Sequence, residues 1–179
     1  MKEEVIKSYE KASLEYFANS NSLHQLGLNS RKLEEAASKQ ILNVLGLTNY
    51  EVVYTSGNSE SYTLLINNFG SDFITNSNEF KSIMLAMGID VDNDKTVKKY
   101  SHIDISGNYN LLNIDNLNNY DFITFEDEIP FFGVLIKKKN IDLVPLIHGG
   151  KSTTKYRSGT APTPLIVAMS KLVKEKYKK

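Results

Sequence analysis

The sequence predicts an α/β layered domain. Short apolar, β-branched runs alternate with segments whose apolar residues recur at helical spacing, and this alternation persists along the chain. Its 179 residues are enough for one domain with a real core, so a single domain over residues 1–179 is expected.

Residues 2 to about 18 place Val5, Tyr9, Ala12, Leu14, Tyr16 and Phe17 at mixed helical spacings, which predicts an amphipathic helix ending near Asn19. A polar loop with a short apolar insert runs to Gly27. Ser30 is placed to cap a second helix, with Leu33, Ala36, Ala37, Gln40, Ile41, Val44 and Leu45 as its buried stripe and Gly46 as its stop. Val52 to Thr55 forms a β-branched strand, and Tyr62 to Phe69 a buried helix.

Asp72 to Thr75 reads as a short inner strand and Ser77 to Met87 as a helix. Asp90, Asp92 and Asp94 alternate as in a calcium loop, but the turn glycine and closing glutamate are missing, so Asp90 to Lys95 reads as a solvated loop. Lys98 and Lys99 assign Thr96 to Tyr100 to a sheet edge. The asparagine-rich Ser106 to Asn119 has the composition of a surface connection with at most one short helix. Asp121 to Phe125 and Gly133 to Ile136 are strands. A last helix carries Leu165, Ile166, Ala168, Met169 and Leu172, with Lys171 to Lys179 as its solvated basic end.

Lysine plus arginine (21) balance aspartate plus glutamate (21), so no global field draws the chain to nucleic acid or an anionic membrane. The absence of cysteine removes disulfides, thiolate metal sites and any cysteine nucleophile. A charged N-terminus and the lack of a long apolar run give a cytoplasmic protein without a membrane segment as the expectation. His24 and His148 have no carboxylate cluster at ligand spacing, which leaves them structural rather than metal-binding.

The stretch with chemical promise is Tyr54-Thr55-Ser56-Gly57-Asn58-Ser59-Glu60-Ser61. A strand that passes through a small-residue turn into a helix directs the helix's first N–H groups, and the positive end of its dipole, outward. With hydroxyls beside a glycine, that is a phosphate-ready site, although the same residues also serve any capped helix start.

Taken in order, Ser22-Leu23-His24-Gln25-Leu26-Gly27, Tyr54 to Ser61, Phe73-Ile74-Thr75 with Glu79, Gly133-Val134-Leu135, His148-Gly149-Gly150 and Arg157-Ser158-Gly159-Thr160 resemble a cysteine desulfurase. That family belongs to the class V aminotransferases, pyridoxal-phosphate enzymes of fold type I. The resemblance implies a reduced three-layer α/β/α sandwich like the fold type I large domain, with a shortened mixed sheet. It implies that the strand from Gly133 runs antiparallel to its neighbours, with Lys137 and Lys138 as an ordinary surface tail. With the family's central segment missing, it also implies that the strands from Phe73 and Phe122 are neighbours.

Carried over by motif, Gly57, Asn58 and Ser59 hold the cofactor phosphate, Phe80 takes the place of the histidine that stacks on the ring, and Thr160 reaches the phosphate across a dimer. The rest of the family's chemistry has no counterpart. Where the resemblance places the cofactor-anchoring lysine, the chain reads Glu126-Asp127-Glu128-Ile129. The pyridine-binding aspartate and the small domain with its reactive cysteine are likewise missing. Lys81, Lys151 and Lys155 are the displaced-lysine candidates, each in a polar setting that a surface lysine explains. The resemblance therefore implies a truncated, degenerate desulfurase-like protein with no catalytic residue, no metal ligand and no resident cofactor. Its implied partner is a second copy of the chain or a full-length desulfurase. The alternative is a pyridoxal-phosphate-binding desulfurase or transferase with residual or altered activity.

Overall fold

The computed structural model describes residues 3–70, 73–75, 82, 85–86, 98–103, 114–125, 129–150 and 155–177. Of the expected Ser77 to Met87 helix, only Ser82, Leu85 and Ala86 are among them, and all three are helical. Phe80, Lys81, Asp90 to Lys95, Glu126 to Glu128 and Lys151 lie outside the described residues. The chain divides into two compact units, Met1–Thr48 with Pro145–Lys179, and Asn49–Val144.

The first unit holds helices α1 (Glu3–Glu15), α2 (Gln25–Val44) and α4 (Thr163–Lys176), and α4 packs against both others. On α1 only Val5 and Ala12, seven residues apart, are fully buried. Tyr9, Leu14 and Phe17, expected on the apolar face, are 42 %, 78 % and 72 % exposed; the helix ends at Glu15, which leaves Phe17 in the following loop. The cap of α2 is His24 rather than Ser30: Gly27 N–H donates to His24 Nδ1 at 3.2 Å. Ser30 is a buried residue within the helix whose hydroxyl donates to Leu26 O and Tyr16 O. The buried face of α2 is Gly27, Ser30, Glu34, Ala37 and Ile41, and Gly46, at φ 69°, lies just beyond its end. Of the expected apolar face of α4, Ile166, Ala168, Met169 and Leu172 are buried and Leu165 is half-buried, while Val173 is buried as well. Between α2 and α4, Gln40 Nε2 donates to Ser170 Oγ at 2.9 Å, and Ser170 Oγ to Ala37 O at 3.1 Å.

The second unit holds β1 (Tyr50–Thr55), α3 (Asn58–Phe69), β2 (Phe73–Thr75), β3 (Lys98–Ile103), a 3-10 helix (Ile114–Asn119), β4 (Phe122–Phe125) and β5 (Gly133–Lys138). The strands form one mixed sheet in the order β1-β5-β4-β3-β2. β2, β3 and β4 are mutually parallel, and β5 is antiparallel to both β4 and β1, as the resemblance implied. β4 is buried throughout and β5 from Gly133 to Lys137, because each is flanked by strands on both sides. Tyr62, Leu64, Leu65 and Ile66 of α3 are buried, α3 packs on β5, β1 and β4, and the rings of Phe69 and Phe122 lie 5.5 Å apart.

Three expectations change here. The strands from Phe73 and Phe122 are not neighbours, because β3 pairs with both. Accordingly β2 is an edge strand rather than an inner one, and β3 is inner rather than an edge. The register between strands is staggered: among the described residues Lys98 and Lys99 pair only with β2, Ser101 to Ile103 only with β4, and Tyr100 with both. Finally, Lys137 is not surface. It is 0 % exposed, and its Nζ donates to Glu51 Oε1 at 2.5 Å, to Ile141 O at 2.5 Å and to Lys138 O at 3.2 Å.

Candidate functional site

Within the sheet unit, β1 is antiparallel to β5 and therefore points the same way as β2, β3 and β4. The C-terminal ends of four strands, at Thr55, Thr75, Ile103 and Phe125, thus lie along one edge of the sheet, together with the first residue of β5, Gly133. In α/β sheets this is the edge where ligands bind.

The turn Thr55 to Ser61 stands there, and it is built from its own hydroxyls. Thr55 Oγ1 donates to Gly57 O at 3.0 Å and lies 2.9 Å from Ser61 Oγ. Ser61 N–H also donates to Gly57 O, at 3.2 Å. Ser56 N–H donates to Glu60 Oε2 at 2.7 Å, a side chain reaching back over the helix start as in a capping box. Gly57 is the N-cap of α3 with no side-chain bond to the helix, so the first turn depends on these neighbours. Ser56 and Ser59 are exposed, whereas Asn58 is 2 % exposed. The turn therefore opens to solvent along the serines and is anchored inward by Asn58.

Gly133, the first residue of β5, stands directly against the turn. A Cβ on Gly133 would lie 2.7 Å from Gly57 Cα and 2.7 Å from Gly57 C, and would collide with Thr55 Oγ1. Only a residue without a side chain lets β5 pass behind the turn, and a glycine at the start of an apolar strand was the available signal.

Of the five residues expected at the site, Gly57, Asn58 and Ser59 are brought together at the start of α3. Phe80 lies outside the described residues. Thr160 belongs to the other unit, where it is exposed and its Oγ1 accepts from Asn19 Nδ2 at 3.3 Å. The same segment meets the His148-Gly149-Gly150 stretch: Ser158 N–H donates to Ile147 O, and a Cβ on Gly149 would lie 3.2 Å from Ser158 Cβ. Gly159, at φ 119°, takes a conformation that favours glycine.

The exposed serines and the helix start of this turn suit a phosphate. The chain has no lysine between Lys99 and Lys137. Lys137 pairs with Glu51, four residues before Thr55 on β1, which places it roughly 13 Å along the strand from the turn. Lys155 is exposed, its Nζ 5.0 Å from the centre of the Tyr156 ring. Among the described residues, no group of three or more histidine or acidic side chains is arranged to hold a metal ion. Nor is any helix long and apolar enough to cross a membrane.

Comparison with known proteins matches residues 1–119 to the family model described as aminotransferase class-V. A NifS/IcsS protein homologue of Lactobacillus delbrueckii subsp. bulgaricus is 32 % identical over 90 residues, covering 46 % of this chain and 23 % of that protein. The cysteine desulfurase-like IscS 1 protein of Bacillus subtilis is 24 % identical over 222 aligned positions, covering 88 % of this chain and 59 % of that one. The chain thus spans less than two thirds of either relative. A solved NifS-like protein superposes with a TM-score of 0.76 at 16 % identity, over 98 % of this chain and 66 % of that one, which shows a shared fold.

Proposed function

Because the chain belongs to the aminotransferase class-V family, we propose that it is a desulfurase-like protein that keeps the family's phosphate turn without the family's covalent chemistry, and acts by binding a partner. The observation that carries the reading is at the end of β4. By the resemblance the cofactor-anchoring lysine follows this strand, and here the sequence continues into Glu126-Asp127-Glu128.

Pyridoxal phosphate, when bound, supplies an electron sink that needs a lysine amine and a carboxylate at its pyridine nitrogen. A run of three carboxylates opposes an anionic ligand instead. The absence of cysteine supports the same reading, since no thiol in these 179 residues can carry sulfur. So does the alignment with the Bacillus subtilis protein: its 222 positions exceed the length of this chain, so that relative carries internal segments with no counterpart here.

The partner is a second copy of this chain or a full-length desulfurase. Exposure of Thr160, the residue implied to cross a dimer, supports such a role. Sizing the purified protein alone and mixed with a full-length desulfurase tests it. A stable complex in either case is expected, and a strict monomer in both overturns the partner role.

A second reading is favoured by the intact hydroxyl network of the turn: a pyridoxal-phosphate-binding enzyme with residual or altered activity. It requires cofactor-dependent turnover of an amino acid, and no product with any amino acid tested counts against it.

A further inference from the structure

We infer that Glu34 is a pH-dependent latch tying the Asn19 to Ser22 loop to the start of α4. Glu34 is 3 % exposed, Ser20 0 % and Thr163 3 %. Thr163 Oγ1 donates to Glu34 Oε1 at 2.5 Å. The other carboxyl oxygen, Glu34 Oε2, and the nearby Ser20 Oγ are both buried and have no hydrogen-bond partner among the described residues.

An ionised carboxylate in this seam would bury a charge with one oxygen unsatisfied, which is costly. One proton resolves both vacancies. On Oε2 it makes the acid a donor toward Ser20 Oγ, while Oε1 continues to accept from Thr163. The charged groups facing Glu34 are Arg31 and Glu35, both on α2. Among the described residues, the loop and α4 present the hydroxyls of Ser20 and Thr163; these two hydroxyls and the Arg31 guanidinium favour the ionised form, and Glu35 opposes it. Burial is the largest influence and pushes the carboxyl above its ordinary value.

The latch is part of a longer seam on one face of α2. A Cβ on Gly27 would lie 2.6 Å from Ser22 O and 2.7 Å from Asn19 O, so the loop rests directly on the helix. Arg31 Nε donates to Ser20 O at 2.9 Å one turn further on, and Glu34 follows. At the loop's outer end Asn19 holds Thr160. Protonated Glu34 therefore fixes both sides of the Asn19–Thr160 contact, and ionisation loosens it. Only the consequence for Thr160 as a partner-reaching residue rests on the proposed function.

The sign follows from the raised pKa. The latch contributes its full stability below the ordinary glutamate pKa and loses it as pH rises through the raised value. Two measurements test this. Carbon-13 NMR titration of the Glu34 carboxyl should give a midpoint above those of the exposed glutamates of the same chain, and Ser20→Ala should lower it by removing the acceptor of the neutral acid. Unfolding across the pH range should find Glu34→Gln, which keeps one acceptor and one donor, more stable than the wild type at the alkaline end and equal to it at the acid end.

A midpoint among those of the exposed glutamates overturns the latch, as does a rise in Ser20→Ala, which would make Ser20 a donor to a carboxylate. Parallel pH profiles of wild type and Glu34→Gln also overturn it. Should Glu34→Gln not fold, the two titrations decide alone. None of these readouts involves a partner or a cofactor, so their failure leaves the proposed function standing.

Discussion

Gly133 abuts Gly57 so closely that a β-carbon on the first would lie 2.7 Å from the α-carbon of the second. The neighbour is backbone, which cannot swing aside as a flexible side chain would. Gly133→Ala should therefore cost about 1–3 kcal/mol, the usual range for overpacking. Equilibrium denaturation checks the loss. A second glycine substitution at Gly150, where a Cβ meets nothing within 4 Å, should cost less than Gly133→Ala.

Lys137 is expected to be a structural cation. With three acceptors around a fully buried ammonium, Lys137→Ala removes an ion pair and opens a cavity, and should destabilise by roughly 3 kcal/mol. The Glu51 side chain is 35 % exposed, so Glu51→Gln should cost only about 1 kcal/mol, water replacing part of the lost interaction. Chemical denaturation of the two variants side by side checks the asymmetry.

Tyr50 ties the start of β1 to the segment before β4. Its hydroxyl donates to Tyr120 O at 2.6 Å, and burial, assisted by Asp121, pushes its pKa up to about 12. A folded pKa above the unfolded value of 10.0 means that this contribution is whole below pH 10 and disappears as pH rises through about 12. Tyr50→Phe should cost about 1 kcal/mol at neutral pH. It should also flatten the alkaline limb of the stability profile, which pH-dependent unfolding followed by circular dichroism reads directly.

His24 caps α2 through its Nδ1. His24→Ala should lower stability by about 1 kcal/mol, and His24→Asp, with a better side-chain acceptor, should restore most of it. Thermal unfolding of the pair distinguishes the cap from a role in binding.

How much of this was legible in the residues differs by element. The Thr55 to Ser61 turn was readable because strand, turn and helix chemistry coincide within eight residues, and the direction of β5 followed from the family resemblance. Sheet order was not readable. β3 reads as an edge from Lys98 and Lys99, and no local pattern reveals a stagger between strands. Lys137 was misread because a lysine after an apolar run normally marks the surface, and its carbonyl partners are backbone atoms that side-chain sequence does not display. Glu34 did leave a trace. It sits in the 27, 30, 34, 37, 41 spacing of the buried face, where a carboxylate is out of place.

The turn itself is separable into fold and ligand roles through Ser59, which is exposed and whose carbonyl accepts from Thr63 Oγ1 at 2.7 Å. Ser59→Ala should change thermal stability by less than about 0.5 kcal/mol, as for other exposed sites. If the turn still takes a phosphate, the stabilisation by added inorganic phosphate should fall in the variant. An equal phosphate effect in both proteins assigns the serine to the helix start alone.

The most direct test of a phosphate turn without a cofactor anchor is to mix the protein with an equimolar amount of pyridoxal phosphate, reduce with borohydride and measure the intact mass. No stoichiometric adduct on any single lysine is expected. One pyridoxyl group per chain, located at one lysine by peptide mapping, would contradict that.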